Sequence, residues 1–352
     1  MIRKVSIPLV VGMIVAAGVG PSPLFASLSL TAAVLFFVLC SLRKTRSFIP
    51  FYLLLFFTGF FCYCSMSVYG AGHLRFEISD QWLRSAIDDS GFESERTSPL
   101  LKALLTGDRR ELDRGTVDCF RRSGAAHLLA LSGLHLGIIY LIISRVLSVL
   151  GHSPTAHRCR SILCIGLSGA YTIMTGAGPS IVRAFLFITL NELASLHPER
   201  KKDGLSIFWT ALTIQTVINP TVIESAGFQL SYLAMLGIFL VFPVLRDFYP
   251  SAGNGHGLLE KADIAHRIWD SAALAISCQL FTAPLAYLLF GSFPRYFLLS
   301  NLIAMPLTEL LIPSALVCLA LSSLGVCPDF AIRAVDSIAS ALINSLEIVA
   351  GM

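Results

Sequence analysis

The sequence predicts an all-α polytopic transmembrane helical bundle of about 10–11 spans, with one charged extracytoplasmic segment. Hydrophobic residues make up 55% of the chain and charged residues only 14%, whereas soluble domains contain about 25% charged residues. Apolar runs recur at lengths that match the ~20 residues needed to cross a bilayer. Basic residues also gather in alternate short loops, as expected when the chain crosses a membrane repeatedly.

The strongest apolar runs are residues 5–20, 24–42, 48–69, 127–150, 162–175, 180–196, 205–218, 226–245, 272–290 and 297–324. The first follows Arg3 and Lys4 and lacks a convincing cleavage site, so we predict a retained helix rather than a signal peptide. Run 297–324 contains Pro306 and Pro313, which leaves open two spans or a span with a re-entrant piece. Residues 332–349 are more weakly apolar and could lie along the interface or pack on the bundle.

The positive-inside rule predicts a cytoplasmic N-terminus. The cations predicted to be cytoplasmic are Arg3, Lys4, Arg43, Lys44, Arg46, Arg145, Arg158, Arg160, Arg200, Lys201, Lys202, Arg246, Lys261 and Arg267, whereas Arg295 lies on an outer loop. Residues 70–126 then lie outside, with nine basic and ten acidic residues. Two interpretations of this segment stay open: a solvated connector with an interfacial helix, or a collar over a pore.

These features predict four regions along the chain. Residues 1–69 form the N-terminal transmembrane helices, and residues 70–126 form the extracytoplasmic segment. Residues 127–324 form a membrane channel domain, and residues 325–352 form an amphipathic, membrane-associated tail.

The stretch around residues 126–137 combines polar and small residues at the start of an apolar run. On a helix through this stretch, Ala126, Ala130, Gly133 and Gly137 would share one face suited to close helix packing. His127, Ser132 and His135 would lie on a separate arc. Polar groups inside a span are costly, so they indicate either function or hydrogen bonding between helices, and the sequence leaves both open.

Polar residues in other predicted spans extend this pattern. With His127, Ser132 and His135, the predicted polar path includes Gln229, Ser231, Gln279, Asn301 and Glu309. Glu309, between two prolines, is typical of a broken helix that faces a cavity. The predicted entrance cations are Arg121, Arg122 and Arg183, although Arg183 could simply reach the outer surface. No CxxC or HExxH spacing occurs among nine cysteines and eight histidines, so we expect no metal, cofactor or disulfide framework.

Several short motifs follow one another along the chain. The main one runs from Ala126 to Gly137. The others are residues 104–109, 120–124, 178–184, 219–220, 227–234, 282–285 and 301–307. Together these motifs resemble the competence domain of the ComEC-type DNA-uptake channels. The resemblance covers about residues 100–324.

The resemblance implies an inner-membrane channel that imports single-stranded DNA during natural transformation. It also implies a periplasmic DNA-binding competence protein and a cytoplasmic DNA-translocating ATPase as partners; assembly with further copies of this chain stays open. Segment 70–126 is too short for the OB-like domain of long members, and the chain has no HxHxDH motif of the metallo-β-lactamase-like nuclease domain. We therefore expect no catalytic residues and no enzyme activity here.

Two other functions compete with DNA passage. A proton-coupled small-solute transporter would use Glu309, Glu192 and the histidines as a relay, but no internal repeat supports it. An intramembrane hydrolase would pair Ser132 with His135 or His127, but the sequence offers no third group to orient the base.

Overall fold

The described part of the chain consists of helices joined by turns and loops. The computed structural model describes residues 2–42, 48–69, 81–129, 131–151, 153–196, 203–248, 264–291 and 296–351, and these ranges contain no strand. Several of the predicted loop cations, including Lys44, Lys201 and Arg295, lie outside the described residues. The described helices form two units, residues 1–75 with 189–232, and residues 76–188 with 233–352.

The first unit is built mainly from long apolar helices. It contains α1 (Ile2–Val19), α2 (Pro23–Leu42), α3 (Ile49–Tyr69) and α10 (Gly204–Ile218), followed by a 3₁₀ turn at Pro220–Glu224. Helix α3 packs against α1 and α2, and α10 packs against α1. The Tyr63 hydroxyl donates a hydrogen bond to the Glu224 carboxylate, which ties α3 to the 3₁₀ turn.

Glycines set the contact between α1 and α3. A methyl group placed on Gly12 would collide with the Phe56 carbonyl oxygen, and one on Gly59 would collide with the Leu9 carbonyl oxygen. The two backbones therefore touch at positions where no side chain fits, which is how small residues allow close helix packing in membranes.

The second unit mixes short helices with long ones. Its first chain range contains α4 (Gln81–Asp89), α5 (Thr97–Thr106), α6 (Arg114–Ser123), α7 (Gly133–Leu147) and α8 (Pro154–Met174). Its second chain range contains α12 (Phe242–Asp247), α13 (Ile264–Phe290), α14 (Phe297–Ser323) and α15 (Asp329–Gly351). Helices α9 (Pro179–Ser195) and α11 (Ala226–Leu240) each contribute residues to both units.

Helix α5 lies at the centre of the second unit. Leu100, Leu101, Leu104 and Leu105 are completely buried, in one core cluster with residues of α4, α6, α14 and α15. Lys102, on the same helix, is only 4% exposed. Part of the predicted outer segment is thus buried core, so a solvated connector does not describe α5.

Lys102 keeps its charge in this core because two carboxylates reach it. Its ammonium lies 2.7 Å from Asp88 Oδ1 and 2.6 Å from Glu111 Oε2. Burial alone would lower the pKa of Lys102, but the hydrogen bonds to Asp88 and Glu111 outweigh it, and the pKa is raised.

Helices α14 and α15 settle two questions that the sequence left open. Helix α14 is one continuous helix of 27 residues that contains Pro306 and Pro313. Glu309 therefore does not sit at a helix break, and its side chain is exposed; the broken-helix prediction is wrong. Helix α15 packs against α5, α6 and α14 along an apolar face that includes Val335, Leu342 and Leu346.

Seven helical stretches are long and apolar enough to cross a membrane in the described part of the chain: 2–19, 23–41, 49–69, 226–247, 268–289, 297–323 and 329–351. Helices α7 and α10 are apolar but shorter, at 15 residues each. Helix α8 begins at Pro154, eight residues before the predicted run, with Arg158 and Arg160 in its first turns. The all-α, multi-span fold class is confirmed.

Candidate functional site: the loop before helix α7

Helix α7 begins at Gly133, six residues after the predicted start of its span. Ser132 caps the helix: its Oγ accepts a hydrogen bond from the Leu134 N–H (3.2 Å), and the Ser132 N–H donates to His135 Nδ1 (3.0 Å). This is a capping box in which a histidine holds the place usually taken by glutamate or glutamine. The prediction of one helix through residues 126–137 is therefore wrong.

The packing predictions that depended on this helix change accordingly. Ala126 is exposed in a turn and does not share a helix face with Gly133. A methyl group on Gly137 would meet nothing within 4 Å, so Gly137 is not a packing contact. Gly133 does lie against α9, because a methyl group there would stand 2.8 Å from Arg183 Nη2 and 3.3 Å from Ala184 Cβ. Ala130 lies outside the described residues.

Buried leucines hold the loop before α7, which we call the α6–α7 loop (residues 124–132). Leu128 and Leu129 are 1% and 2% exposed and belong to the core cluster around α5. Ala126 and His127, just before them, are exposed. The His127 ring approaches the Gly124 carbonyl oxygen at 3.3 Å. The loop therefore presents Ala126 and His127 outward from a fixed base.

Three polar contacts reinforce that base. Arg109 Nε donates to the Leu129 carbonyl oxygen at 2.9 Å. The buried Ser300 hydroxyl, in the first turn of α14, donates to the Ser123 carbonyl oxygen at 2.6 Å. The Tyr171 hydroxyl of α8 donates to the Leu105 carbonyl oxygen at 2.7 Å. The ends of α5 and α6 are thereby fixed to α8 and α14.

The turn after α5 explains why the motif at residues 104–109 accompanies the loop. Gly107 ends α5 with a φ of 78°, a conformation that favours glycine. Asp108 next to it receives hydrogen bonds from Arg84 and from Arg110, whose Nη2 lies at 2.7 Å. The hydrogen bonds from Arg110, together with the charge of Arg84, lower the pKa of the Asp108 carboxyl to about 2. This ion cluster orients the turn that carries Arg109 to the loop.

His135 is the most buried of the predicted polar residues, with no exposed surface. Its Nδ1 accepts the Ser132 N–H, so the neutral ring carries its proton on Nε2. That Nε2 has no hydrogen-bond partner among the described residues, and neither does the buried Oδ1 of Asn301 on α14. Because α7 and α14 pack together, two helices in contact each carry an unpaired buried polar atom.

The remaining residues of the predicted polar path lie on helices α11 and α13. Gln229 donates to the Ile223 carbonyl oxygen at 2.7 Å and so supports the 3₁₀ turn before α11. Ser231 is half-buried on α11, and Gln279 is half-buried on α13. Gln229 and Ser231 belong to the first unit and the other path residues to the second.

The predicted entrance cations occupy two places. Arg121 and Arg122 are exposed in the last turn of α6, immediately before the α6–α7 loop. Arg183 lies one turn into α9, after a turn in which Gly176 has a φ of 80° and Pro179 starts the helix.

The structure brings Ser132 and His135 together, with Ser132 Oγ 3.2 Å from His135 Nδ1. The same Nδ1 accepts the Ser132 N–H, and the same Oγ accepts the Leu134 N–H. Both atoms therefore serve the helix cap. Among the described residues, no group of three or more histidine, cysteine, aspartate or glutamate side chains could hold a metal ion.

Comparison with known proteins identifies the relatives of this chain. The family model described as "Competence protein" matches residues 104–352, which include the turn after α5 and the whole α6–α7 loop. ComE operon protein 3 of Bacillus subtilis is 29% identical over 155 residues, 44% of this chain and 20% of that protein. Competence protein ComA of Neisseria gonorrhoeae is 26% identical over 170 residues, 47% of this chain and 24% of that protein.

A third relative, an uncharacterized protein of Aquifex aeolicus, is 29% identical over 193 residues, 53% of this chain and 42% of that protein. The aligned regions thus span between one fifth and about two fifths of these relatives. No solved structure shows significant similarity. The family match covers more than half of the chain and agrees with the ordered motifs and the apolar helices. The chain is therefore a multi-pass membrane protein that belongs to the competence protein family.

Proposed function

We propose that this chain forms, or forms part of, an inner-membrane channel that imports single-stranded DNA into the cytoplasm during natural transformation. The observation that carries the proposal is the match to the competence family over residues 104–352, which contain the α6–α7 loop and its supports. In this proposal the N-terminus is cytoplasmic, and the loop lies on the outer side, where DNA arrives.

The charges near the loop suit a strand of DNA. Single strands are held by cations that follow the phosphates and by groups that contact the bases. Arg121 and Arg122 project from the end of α6, and His127 is exposed on the loop that follows. Arg183 lies against Gly133 at the start of α7. We propose that these four residues form the entrance.

The unpaired atoms of His135 and Asn301 support a polar path behind this entrance. A buried donor or acceptor without a partner costs free energy, about 1–3 kcal/mol each. Unpaired polar atoms on two helices that touch are expected at places where water or a polar cargo can bind to them. In the proposed channel the path is polar without fixed charge, so a phosphate strand would not be held too tightly to move on.

The partners of the channel belong to the same proposal. A periplasmic DNA-binding competence protein would deliver the strand, and a cytoplasmic ATPase would draw it inward. The transporter alternative loses its central residue, because Glu309 is exposed on a continuous helix. We do not propose the hydrolase either, since the cap occupies both Ser132 Oγ and His135 Nδ1.

The proposal is tested by complementing a deletion strain of a transformable bacterium with the double variant Arg121→Gln/Arg122→Gln. Loss of two phosphate contacts should reduce transformants by about tenfold or more at physiological salt. Glutamine is neutral and fits a helix, so protein level and melting temperature should stay the same.

Arg114→Gln provides the matched control, because Arg114 is exposed at the opposite end of α6. It should change transformation less than twofold. If the double variant transforms as well as the parent at equal protein level, the placement of the entrance is wrong. If the unmodified chain restores no uptake of labelled DNA, the proposed function is wrong for this chain acting without further segments.

A further inference from the structure

Two cysteines face each other across the turn between α14 and α15. Cys318 Sγ, on the last part of α14, lies 3.3 Å from Cys327 Sγ, which stands two residues before α15 begins. All nine cysteines of the chain are free thiols. A disulfide bond has a sulfur–sulfur length of about 2.05 Å, so a small shift of either side chain would allow this pair to bond.

The turn itself holds the two sulfurs close. Helix α14 ends in a reversal in which the Gly325 N–H donates to the Ser322 carbonyl oxygen at 2.9 Å and the Val326 N–H donates to the Leu321 carbonyl oxygen at 3.0 Å. Gly325 has a φ of 69°, which is the left-handed conformation of this kind of helix end. The reversal folds the chain back along α14 and places Cys327 beside Cys318.

The two thiols differ in access. Cys318 is 1% exposed and belongs to the core cluster of the second unit. Cys327 is only partly buried and packs against that cluster from outside. In thiol–disulfide exchange the accessible sulfur reacts first with an external disulfide, and a second thiol nearby then resolves the mixed disulfide.

From this geometry we propose that Cys318 and Cys327 are a redox-active pair that closes to an intramolecular disulfide when a disulfide oxidant is present. The Cys327 thiolate attacks the oxidant, forms a mixed disulfide and releases one thiol. The Cys318 thiolate then attacks Cys327 Sγ and releases the second thiol. Together the two cysteines lose two protons and two electrons. The oxidant disulfide gains these two protons and two electrons and becomes two thiols.

The closed pair would join the turn covalently to α14. Because α15 follows directly and packs against α14, the bond would restrict how far α15 can move from α14 at this end. The proposal does not depend on the DNA-channel proposal, since it concerns a thiol pair and not the cargo.

The test uses the purified full-length chain in mild detergent with oxidised glutathione, followed by denaturation and alkylation of the remaining thiols. Trypsin releases residues 296–333, which contain both cysteines of the pair and no others. We expect this peptide to carry no alkyl label and to weigh two hydrogen atoms less than the reduced form. Dithiothreitol before alkylation should restore two labels.

Three variants and one comparison of rates sharpen the result. In Cys318→Ser, Cys327 should remain as a mixed disulfide with glutathione, whereas Cys327→Ser should leave Cys318 mostly alkylated. Cys278→Ser, outside the peptide, should not alter closure. Closure in the folded chain should be about tenfold faster than in urea, because the fold holds the thiols together.

Exposed Cys159 reports whether the oxidant reacted at all. Two labels on peptide 296–333 when Cys159 carries glutathione would overturn the proposal. A rate of disulfide closure in the folded chain that is no higher than in urea would also overturn the proposal. It would mean that the fold does not hold the two thiols together.

Discussion

Helices α1 and α3 of the first unit and the short helices α4 to α7 of the second unit are held together by different means. In the first pair, Gly12 and Gly59 bring two backbones into contact. In the second group, helices of 9 to 15 residues are joined by caps, ion pairs and buried leucines. Helices that short are marginal alone, so their order depends on these tertiary contacts.

The difference indicates where each part can accept change. Apolar helices in lipid gain little by hiding apolar surface from one another, and their contact depends on close fit. The short helices carry polar groups at defined positions, and those groups also shape the candidate site. Substitutions in the first region should therefore affect packing alone, and substitutions in the second should affect packing and the α6–α7 loop together.

The largest effect is expected for Gly12→Leu. The new side chain would collide with the backbone at Phe56, which cannot move aside as a side chain could. We expect a loss of about 3 kcal/mol in the free energy of unfolding, as for severe overpacking. Thermal unfolding in detergent would measure this loss as a lower midpoint.

Gly18→Leu provides the control on the same helix, since a methyl group there meets nothing within 4 Å. It should leave the midpoint nearly unchanged. Equal midpoints for the two variants would mean that α1 and α3 are not held by backbone contact.

An intermediate effect is expected for Lys102→Met. The apolar part of the side chain is kept, but Asp88 and Glu111 lose their shared partner. Both carboxylates are about half exposed and can return to water, so the expected loss is about 2 kcal/mol, below the cost of stranding a fully buried charge. The melting midpoint in detergent gives the measurement.

Arg96→Met is the matched control, because Arg96 pairs with Glu347 on the exposed surface. Exposed ion pairs contribute about 0–1 kcal/mol to stability, so this variant should leave the melting midpoint nearly unchanged. If both variants show the same small loss in the free energy of unfolding, the charge of Lys102 does not stabilise the second unit.

The sequence could predict the long helices because their signal is local. Run 24–42 became α2 at Pro23–Leu42, and run 48–69 became α3 at Ile49–Tyr69. Hydrophobic length alone fixes such elements. The resemblance to competence proteins was also recognisable from ordered motifs, and the family match confirms it.

Features that depend on a distant partner were missed. The contacts of Gly12 with Phe56 and of Gly59 with Leu9 join residues 44 and 50 positions apart, and nothing in either run marks the other. The predicted start of α7 was wrong because residues 128–131 are apolar and resemble the span itself, although the helix is capped only at Ser132. A serine followed three residues later by a polar residue is a capping-box pattern, and it could have indicated the true start. The burial of Lys102 was missed because charge in a short segment usually indicates an exposed face.

The smallest effect, and the one most specific to the candidate site, is expected for Asp108→Asn. Asp108 is 8% exposed at its side chain and accepts hydrogen bonds from Arg84 and Arg110. At neutral pH the loss of its charge should cost about 1 kcal/mol in the free energy of unfolding, because Arg110 is 76% exposed and water screens its attraction to Asp108. Asp118→Asn, at an exposed position on α6, provides a control with little expected effect.

The pH dependence separates this contribution from ordinary packing. The folded-state pKa of Asp108 is about 2, below its ordinary value of 3.8. A lowered pKa stabilises the folded state fully above the ordinary value and loses that contribution as the pH falls through the folded value. The midpoint difference between Asp108→Asn and the parent should therefore be constant from pH 7 to about 5 and shrink towards pH 2. A difference that stays unchanged over that range would show that the Asp108 charge does not hold the turn beneath the α6–α7 loop.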